Sequence, residues 1–213
     1  MDFKSSNAGF EVDWPEGFLK EAEGQPLKNI ILTSPLGTRK GELVVTNYGL
    51  EGTPIYAIGK SGKIFLDLKP DFTVSEIASK LGSKTKENLS PLRRIKKHLK
   101  LCEASNALLF HFTTTEQRSD LLQMTKLIKH FPIVLKGPRP LDEAISSSGG
   151  LSWNELNENF MLKKYPGVFA AGEMLDWDAP TGGFLIQGSV SQGYAAGLGM
   201  LEYIQRPADS ALV

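Results

Sequence analysis

The sequence is poor in cysteine, histidine, net charge and long apolar runs. Of 213 residues only Cys102 is a cysteine. An internal disulfide framework and a cysteine zinc knuckle are both excluded, which fits a reducing compartment. The three histidines, His98, His111 and His130, never fall four residues apart, and none adjoins a carboxylate cluster, so no metal site is expected from them. Lys plus Arg and Asp plus Glu are equal at 24 each. A balanced total supplies no global field for nucleic acid or an anionic membrane. No apolar run approaches ~18 residues, so no spanning helix is expected. The opening MDFKSSNAGFEVDW lacks a basic stretch followed by an apolar core, so no signal peptide is expected and a cytoplasmic protein is the default. There is no G-x-S-x-G elbow, and Cys102 has no motif around it, so nucleophilic catalysis has no support.

What is present divides into three stretches. Residues 1–69 read as a β-rich region. Phe10 to Trp14 alternates apolar and polar, and Asn29–Thr33, Glu42–Thr46, Pro54–Ile58 and Lys63–Leu68 follow as short strands separated by Gly and Pro turns. Such spacing predicts a small antiparallel sheet or barrel. Residues 70–131 read as helical. Thr73 to Glu76 is a capping box with Gly82 at the helix end, and Ser90-Pro91 opens a second helix. A further capping box at Thr113 to Glu116 precedes the stripe Leu121, Met124, Leu127 and Ile128. From 132 to 213 the chain reads as α/β, with strands at Ile133–Leu135 and Val168–Ala171 and a last helix from Ile186 to about Gln205.

Three features carry candidate chemistry. The run Arg93-Arg94-Ile95-Lys96-Lys97-His98-Leu99-Lys100 is either the solvated face of an amphipathic helix or a phosphate-contacting surface; no aromatic residues interleave to stack on bases. Thr46-Asn47-Tyr48, set between glycines, is either a tight hairpin turn or a polar tip offered to a substrate. In Gly167 to Gly197 the carboxylates Glu173, Asp176 and Asp178 suit either a hard cation or a ligand loop. In the second reading Glu173 accepts hydrogen bonds from ligand hydroxyls. The pair Gly182-Gly183 removes side-chain bulk before a helix whose N-terminus favours an electron-rich ligand. Behind it, Gly193, Ala196 and Gly197 make a smooth stripe.

Ala171-Gly172-Glu173-Met174-Leu175-Asp176 followed by Ala179-Pro180-Thr181-Gly182-Gly183-Phe184 resembles the C-terminal flavin signature of the BaiN/RdsA-like bacterial flavoproteins, NAD(P)/FAD-dependent and aminoacetone-oxidase-like. Ala144 to Gly150 and Gly41 to Gly52 resemble two further family segments. The resemblance implies part of an FAD-dependent oxidoreductase of unknown substrate, with NAD(P)H as a donor to be considered. It places Gly172 and Glu173 by the ribityl and pyrophosphate part of FAD and Thr181, Gly182, Gly183, Phe184 and Leu185 along the ring, with Ala171 and Asp176 also binding the cofactor. It leaves Thr46, Asn47 and Tyr48 as a substrate-facing wall. Many relatives have His at position 47 and Gly-Gly-Tyr-Asn where this chain has Gly182-Gly183-Phe184-Leu185.

The expected fold is therefore mixed α+β and α/β: a β-rich insert, a helical insert, and the C-terminal part of a Rossmann-like FAD-binding domain lacking its first βαβ unit. The chain contains no G-x-G-x-x-G turn; Gly197-Leu198-Gly199 is followed by Glu202 where the third glycine is needed. Four expectations follow. The chain is a truncated form, the product of a shortened gene or half of a split protein. It binds FAD weakly or not at all on its own. It associates with a missing N-terminal half or with itself. A non-catalytic partner-binding or assembly domain is the alternative, and nucleic acid the remaining one.

Overall fold

The computed structural model describes residues 1–82 and 89–205. Its chain divides into two compact units, one of Met1–Asn7 with Pro140–Val213 and one of Ala8–Arg139. In chain order the elements are β1 (Lys4–Ser6), β2 (Phe10–Glu11), α1 (Phe18–Ala22), β3 (Pro26–Ser34), β4 (Gly37–Val45), β5 (Gly49–Glu51), α2 (Thr53–Ile58), β6 (Gly62–Asp67), α3 (Val74–Gly82) and α4 (Pro91–Leu99). There follow α5 (Glu103–His111), α6 (Thr115–Ser119), α7 (Leu121–Lys129), β7 (Phe131–Leu135), β8 (Ser146–Ser148) and α8 (Phe184–Gln205). No helix among the described residues is long and apolar enough to cross a membrane.

The Ala8–Arg139 unit is built on a six-stranded sheet in the order β2-β5-β4-β3-β6-β7, antiparallel throughout. The sheet closes on itself. Glu11 N–H donates to Gly137 O at 2.9 Å, Lys136 N–H to Glu11 O at 2.9 Å and Arg139 N–H to Gly9 O at 2.8 Å, so β2 bonds both β5 and the chain leaving β7. Closure removes an exposed edge. Along β7 alternate residues are buried, with Phe131, Ile133 and Leu135 inside and Val134 outside, the period-2 pattern of a half-covered strand. Leu27, Ile30, Leu32, Leu43, Val45, Ile64 and Leu66 join one core with Phe18, Ile77, Leu81, Ile95, Leu99, Leu108, Met124 and Ile128 from the helices.

Helix starts follow the side-chain chemistry. Thr73 and Glu76 form the reciprocal box, Thr73 N–H to Glu76 Oε2 at 2.7 Å and Glu76 N–H to Thr73 Oγ1 at 3.2 Å. These bonds to Thr73 favour the ionised carboxylate and hold the Glu76 carboxyl below its usual range. Asp120 caps α7 by accepting from Leu122 N–H at 2.8 Å and Gln123 N–H at 3.1 Å.

Four local expectations are corrected. Pro54–Ile58 is not a strand but lies in α2, because Pro54 sits in the first helical turn and Ile55 and Ile58 face the core. The Phe10–Trp14 strand shortens to Phe10–Glu11. The second capping box pairs Thr114 with Gln117, one residue on, because Thr113 Oγ1 donates back to Leu109 O at the end of α5. Val168–Ala171 is not a strand: only Phe169 bridges, to Met161, and the chain then runs through extended Ala171 into a single 3-10 turn, Gly172–Met174. Helix α5 carries no amphipathic signal, because Ala104 to Leu109 are all buried.

The other unit is thinner. β1 and β8 pair antiparallel, Lys4 with Ser148 through Ser6 with Ser146. Its buried cluster is Leu156, Ala170 and Leu175, with Leu151, Phe160, Leu162 and Trp177 packed around it. Of the 22 residues of α8 only Ala196 and Gly199 are buried.

Candidate functional site

The Gly172 turn and the start of α8 are tied together. Gly172 takes φ +84, a conformation that favours glycine. Its N–H donates to Gln192 Oε1 of α8 at 2.8 Å, and its carbonyl accepts from Trp177 Nε1 at 2.9 Å. Trp177 packs against α8 where Gly188 has no side chain; a Cβ there would meet the Trp177 ring at 2.4 Å. Glu173 is exposed on the turn. Asp176 donates its N–H to Leu151 O at 2.8 Å and accepts at its carbonyl from Trp153 Nε1 at 2.9 Å. It also lines a cavity of about 310 Å³ with Met1, Asp2, Lys4, Ser148 and Gly149. Asp178 is engaged by the fold, accepting from Ser6 Oγ at 2.5 Å and from Ala179 N–H at 2.8 Å. Among the described residues no three His, Cys, Asp or Glu side chains come together in a way that would hold a metal ion.

The Thr181–Gly183 turn delivers the chain into α8. Gly182 and Gly183 have φ +116 and +91, and both are exposed. A Cβ on Gly183 would meet nothing within 4 Å. Phe184 is 60% exposed and Leu185 half-buried. The first bond within the helix runs from Gln187 N–H to Gly183 O at 2.9 Å, so the N–H groups of residues 184 to 186 form the open start of α8. The sequence thus has glycine where the backbone faces open space and the helix dipole ends, which fits an electron-rich ring or phosphate laid against it. The expected cofactor residues Ala171, Gly172, Glu173, Asp176 and Thr181 to Leu185 all lie in one unit.

Thr46, Asn47 and Tyr48 lie in the other unit, in the turn between β4 and β5. Thr46 N–H donates to Gly49 O at 2.8 Å, and Gly49 N–H to Thr46 Oγ1 at 3.0 Å. This is a tight hairpin turn, braced by Trp14 Nε1 donating to Thr46 O at 2.8 Å. Asn47 is exposed. The phenol of Tyr48 donates to Glu51, and that of Tyr56 donates to the second oxygen of the same carboxylate at 2.5 Å. Gly9 makes room for that carboxylate, since a Cβ there would come within 2.4 Å of Glu51 Oε1. The Arg139 guanidinium, paired with Glu11 at 2.7 Å, lies 4.4 Å from the Tyr48 ring centre. Burial and the Glu51 carboxylate push the Tyr48 phenol up to about 12 and raise that of Tyr56 as well. The sequence reading missed the Glu51–Tyr56 pair; its one signal was a Glu three residues beyond Tyr48 and five before Tyr56.

The basic run forms α4. Ile95 and Leu99 are buried, Leu92 is half-buried, and Arg93, Lys96 and Lys97 face solvent.

The family model described as the HI0933-like protein Rossmann domain matches residues 28–199. The chain belongs to this family. It is the flavoprotein family that the three motif segments resemble, so the chain combines an antiparallel sheet with a Rossmann-like domain and is related to flavin-dependent oxidoreductases. It is also 22% identical over 179 residues to the 3-dehydro-bile acid delta(4,6)-reductase of Clostridium scindens, a match covering 74% of this chain and 43% of that protein. The chain spans less than half the length of this relative.

Proposed function

We propose that this chain supplies one wall of the FAD site of a flavin-dependent oxidoreductase. The observation that carries the reading is the Thr181–Gly183 turn. Two left-handed, exposed glycines sit at the start of a 22-residue helix, in the segment that resembles the family's flavin signature. Gly172, next to Glu173, is tied to the same helix through Gln192. In this reading the start of α8 offers N–H groups to the electron-rich side of the ring, and exposed Glu173 accepts from ribityl hydroxyls. FAD, when bound, supplies the redox chemistry. The adenosine and pyrophosphate contacts fall to a G-x-G-x-x-G unit that the 213 residues do not contain. Residues 1–69 and 70–131 are then a β-rich and a helical insert, 132–213 the flavin segment, and Thr46-Asn47-Tyr48 a substrate-facing tip. NAD(P)H is the electron donor to test first, and the substrate is a small molecule.

The glycine turn is tested in the protein complemented with a family Rossmann half. G182V and G183V are expected to lower flavin content at least tenfold while size-exclusion chromatography shows the complex unchanged. Full flavin retention by both variants contradicts the assignment.

One observation favours a second reading, a non-catalytic assembly domain. On α8, Ile186, Val190, Tyr194, Leu201 and Ile204 are all more than half exposed. A face this apolar marks an interaction surface. Normal assembly by a chain that never acquires flavin, even with its Rossmann half, would support that reading.

A further inference from the structure

Within the Ala8–Arg139 unit a cavity of about 240 Å³ opens where β3, the end of β6 and the link from α4 to α5 meet. Lys28 and Asn29 of β3 line it, with Leu68 and Lys69 just beyond β6 and Lys100 and Leu101 beyond α4. These segments are held by the fold. The register of β3 on β4 slips between Leu27 and Ile30, which sets Lys28 and Asn29 outside the ladder. Leu68 and Leu101 belong to the buried core, and Leu68 N–H donates to Ile128 O at 2.8 Å.

The wall carries three lysines and no carboxylate. The acids nearest in sequence are engaged by other cations. Asp67 pairs with Lys129 at 2.6 Å, and Glu103 with Lys96 at 3.3 Å. Asp71 accepts from Asn29 Nδ2 at 2.8 Å and lies 3.9 Å from Lys40. Lys69 has the Phe72 ring centre 5.6 Å from its ammonium, a contact that leaves its charge in place. Among the described residues none of Lys28, Lys69 and Lys100 pairs with a carboxylate. Like charges gathered on one concave wall repel, and a bound anion offsets that repulsion.

Lys100 adds a second mark. It closes α4 in the left-handed conformation, φ 50 and ψ 48, where glycine or asparagine is the usual residue. A cation at a helix C-terminus favours the dipole, but Lys96, Lys97 and His98 already supply that in the last turn of α4. The helix alone therefore gives no reason to hold a strained lysine at this position.

We propose that this cavity binds a phosphate dianion, either free or at the end of a small ester. Lys28, Lys69 and Lys100 supply the charge as separate point donors, which suit a tetrahedral anion, whereas a planar carboxylate is matched by the fork of an arginine. The volume admits a phosphate with a short organic remainder and is too small for a dinucleotide. This site is independent of the flavin reading.

The probes are inorganic phosphate and glycerol 3-phosphate, titrated into the ¹⁵N-labelled chain at constant ionic strength, with sodium chloride as the control. Saturable perturbations in the low-millimolar range, centred on residues 28–29, 68–69 and 100–102, are expected from at least one of the two. The tighter binder identifies the source, ester or free ion. K100G relieves the left-handed strain, so it should keep or raise the thermal midpoint while weakening the anion about tenfold. K28Q, at an exposed position, should weaken it to a similar degree with the midpoint unchanged. No saturation with either probe, or the same shifts with chloride, overturns the site. Unchanged affinity in K100G or in K28Q overturns the lysine assignment.

Discussion

Two phenols share one carboxylate at the β4–β5 hairpin, and this arrangement sets the alkaline behaviour of the unit. Tyr48 ionises near 12, above the ~10 of a free phenol. The folded chain therefore holds this proton more tightly than the unfolded one. The resulting stability is fully present below about pH 10 and is lost as pH rises through the folded value. Absorbance near 295 nm should show a late phenolate phase, and Y48F should remove one phenol from it. Ionisation of Tyr48 near pH 10 contradicts the Glu51 contact. Single residues were unevenly legible. Thr113, Thr114 and Thr115 form a run with Glu116 and Gln117 behind it, so two registers satisfy the capping pattern. The bond from Thr113 Oγ1 back to Leu109 O, at the end of α5, decides between them. The Gly182-Gly183 pair was legible because an exposed left-handed turn leaves its mark in residue type alone.

At the scale of elements, α8 is the anomaly. Gly193 and Gly197 lie one turn apart, and a Cβ on either would meet nothing within 4 Å. Glycine in a helix costs about 1 kcal/mol relative to alanine, and contacts among the described residues give no reason for it. G193A and G197A are each expected to stabilise the isolated chain by up to ~1 kcal/mol in chemical denaturation and to weaken docking of a Rossmann half. Stabilisation with docking unchanged would mean that no close approach occurs at this stripe. A control on the other unit is D120A, which removes the acceptor of two N–H groups and should cost about 1 kcal/mol. An element with one buried face, such as α4, was legible from periodicity. Helix α5 was not, because burial on every side erases the stripe. α2 was misread as a strand because the five-residue apolar run from Pro54 to Ile58 suits either state.

For the whole molecule, the two units differ in how well they are filled. Among the described residues, twenty-nine buried ones form the core around the closed sheet, against three in the unit whose Ala171–Phe184 stretch resembles the family's flavin signature. The β-rich character and the family resemblance were both legible. Closure of the sheet through Glu11 and Gly137 was not, since pairing between residues so far apart leaves no local pattern. In the proposed reading, the small core and the exposed apolar face of α8 belong to one wall of a flavin site. The decisive measurement is flavin absorbance near 450 nm per chain after FAD is added and free flavin removed, with and without a G-x-G-x-x-G half from the family. The account predicts little bound flavin for the chain alone and close to one per chain in the complemented protein. Stoichiometric flavin on the isolated chain, or none in either case, would contradict it.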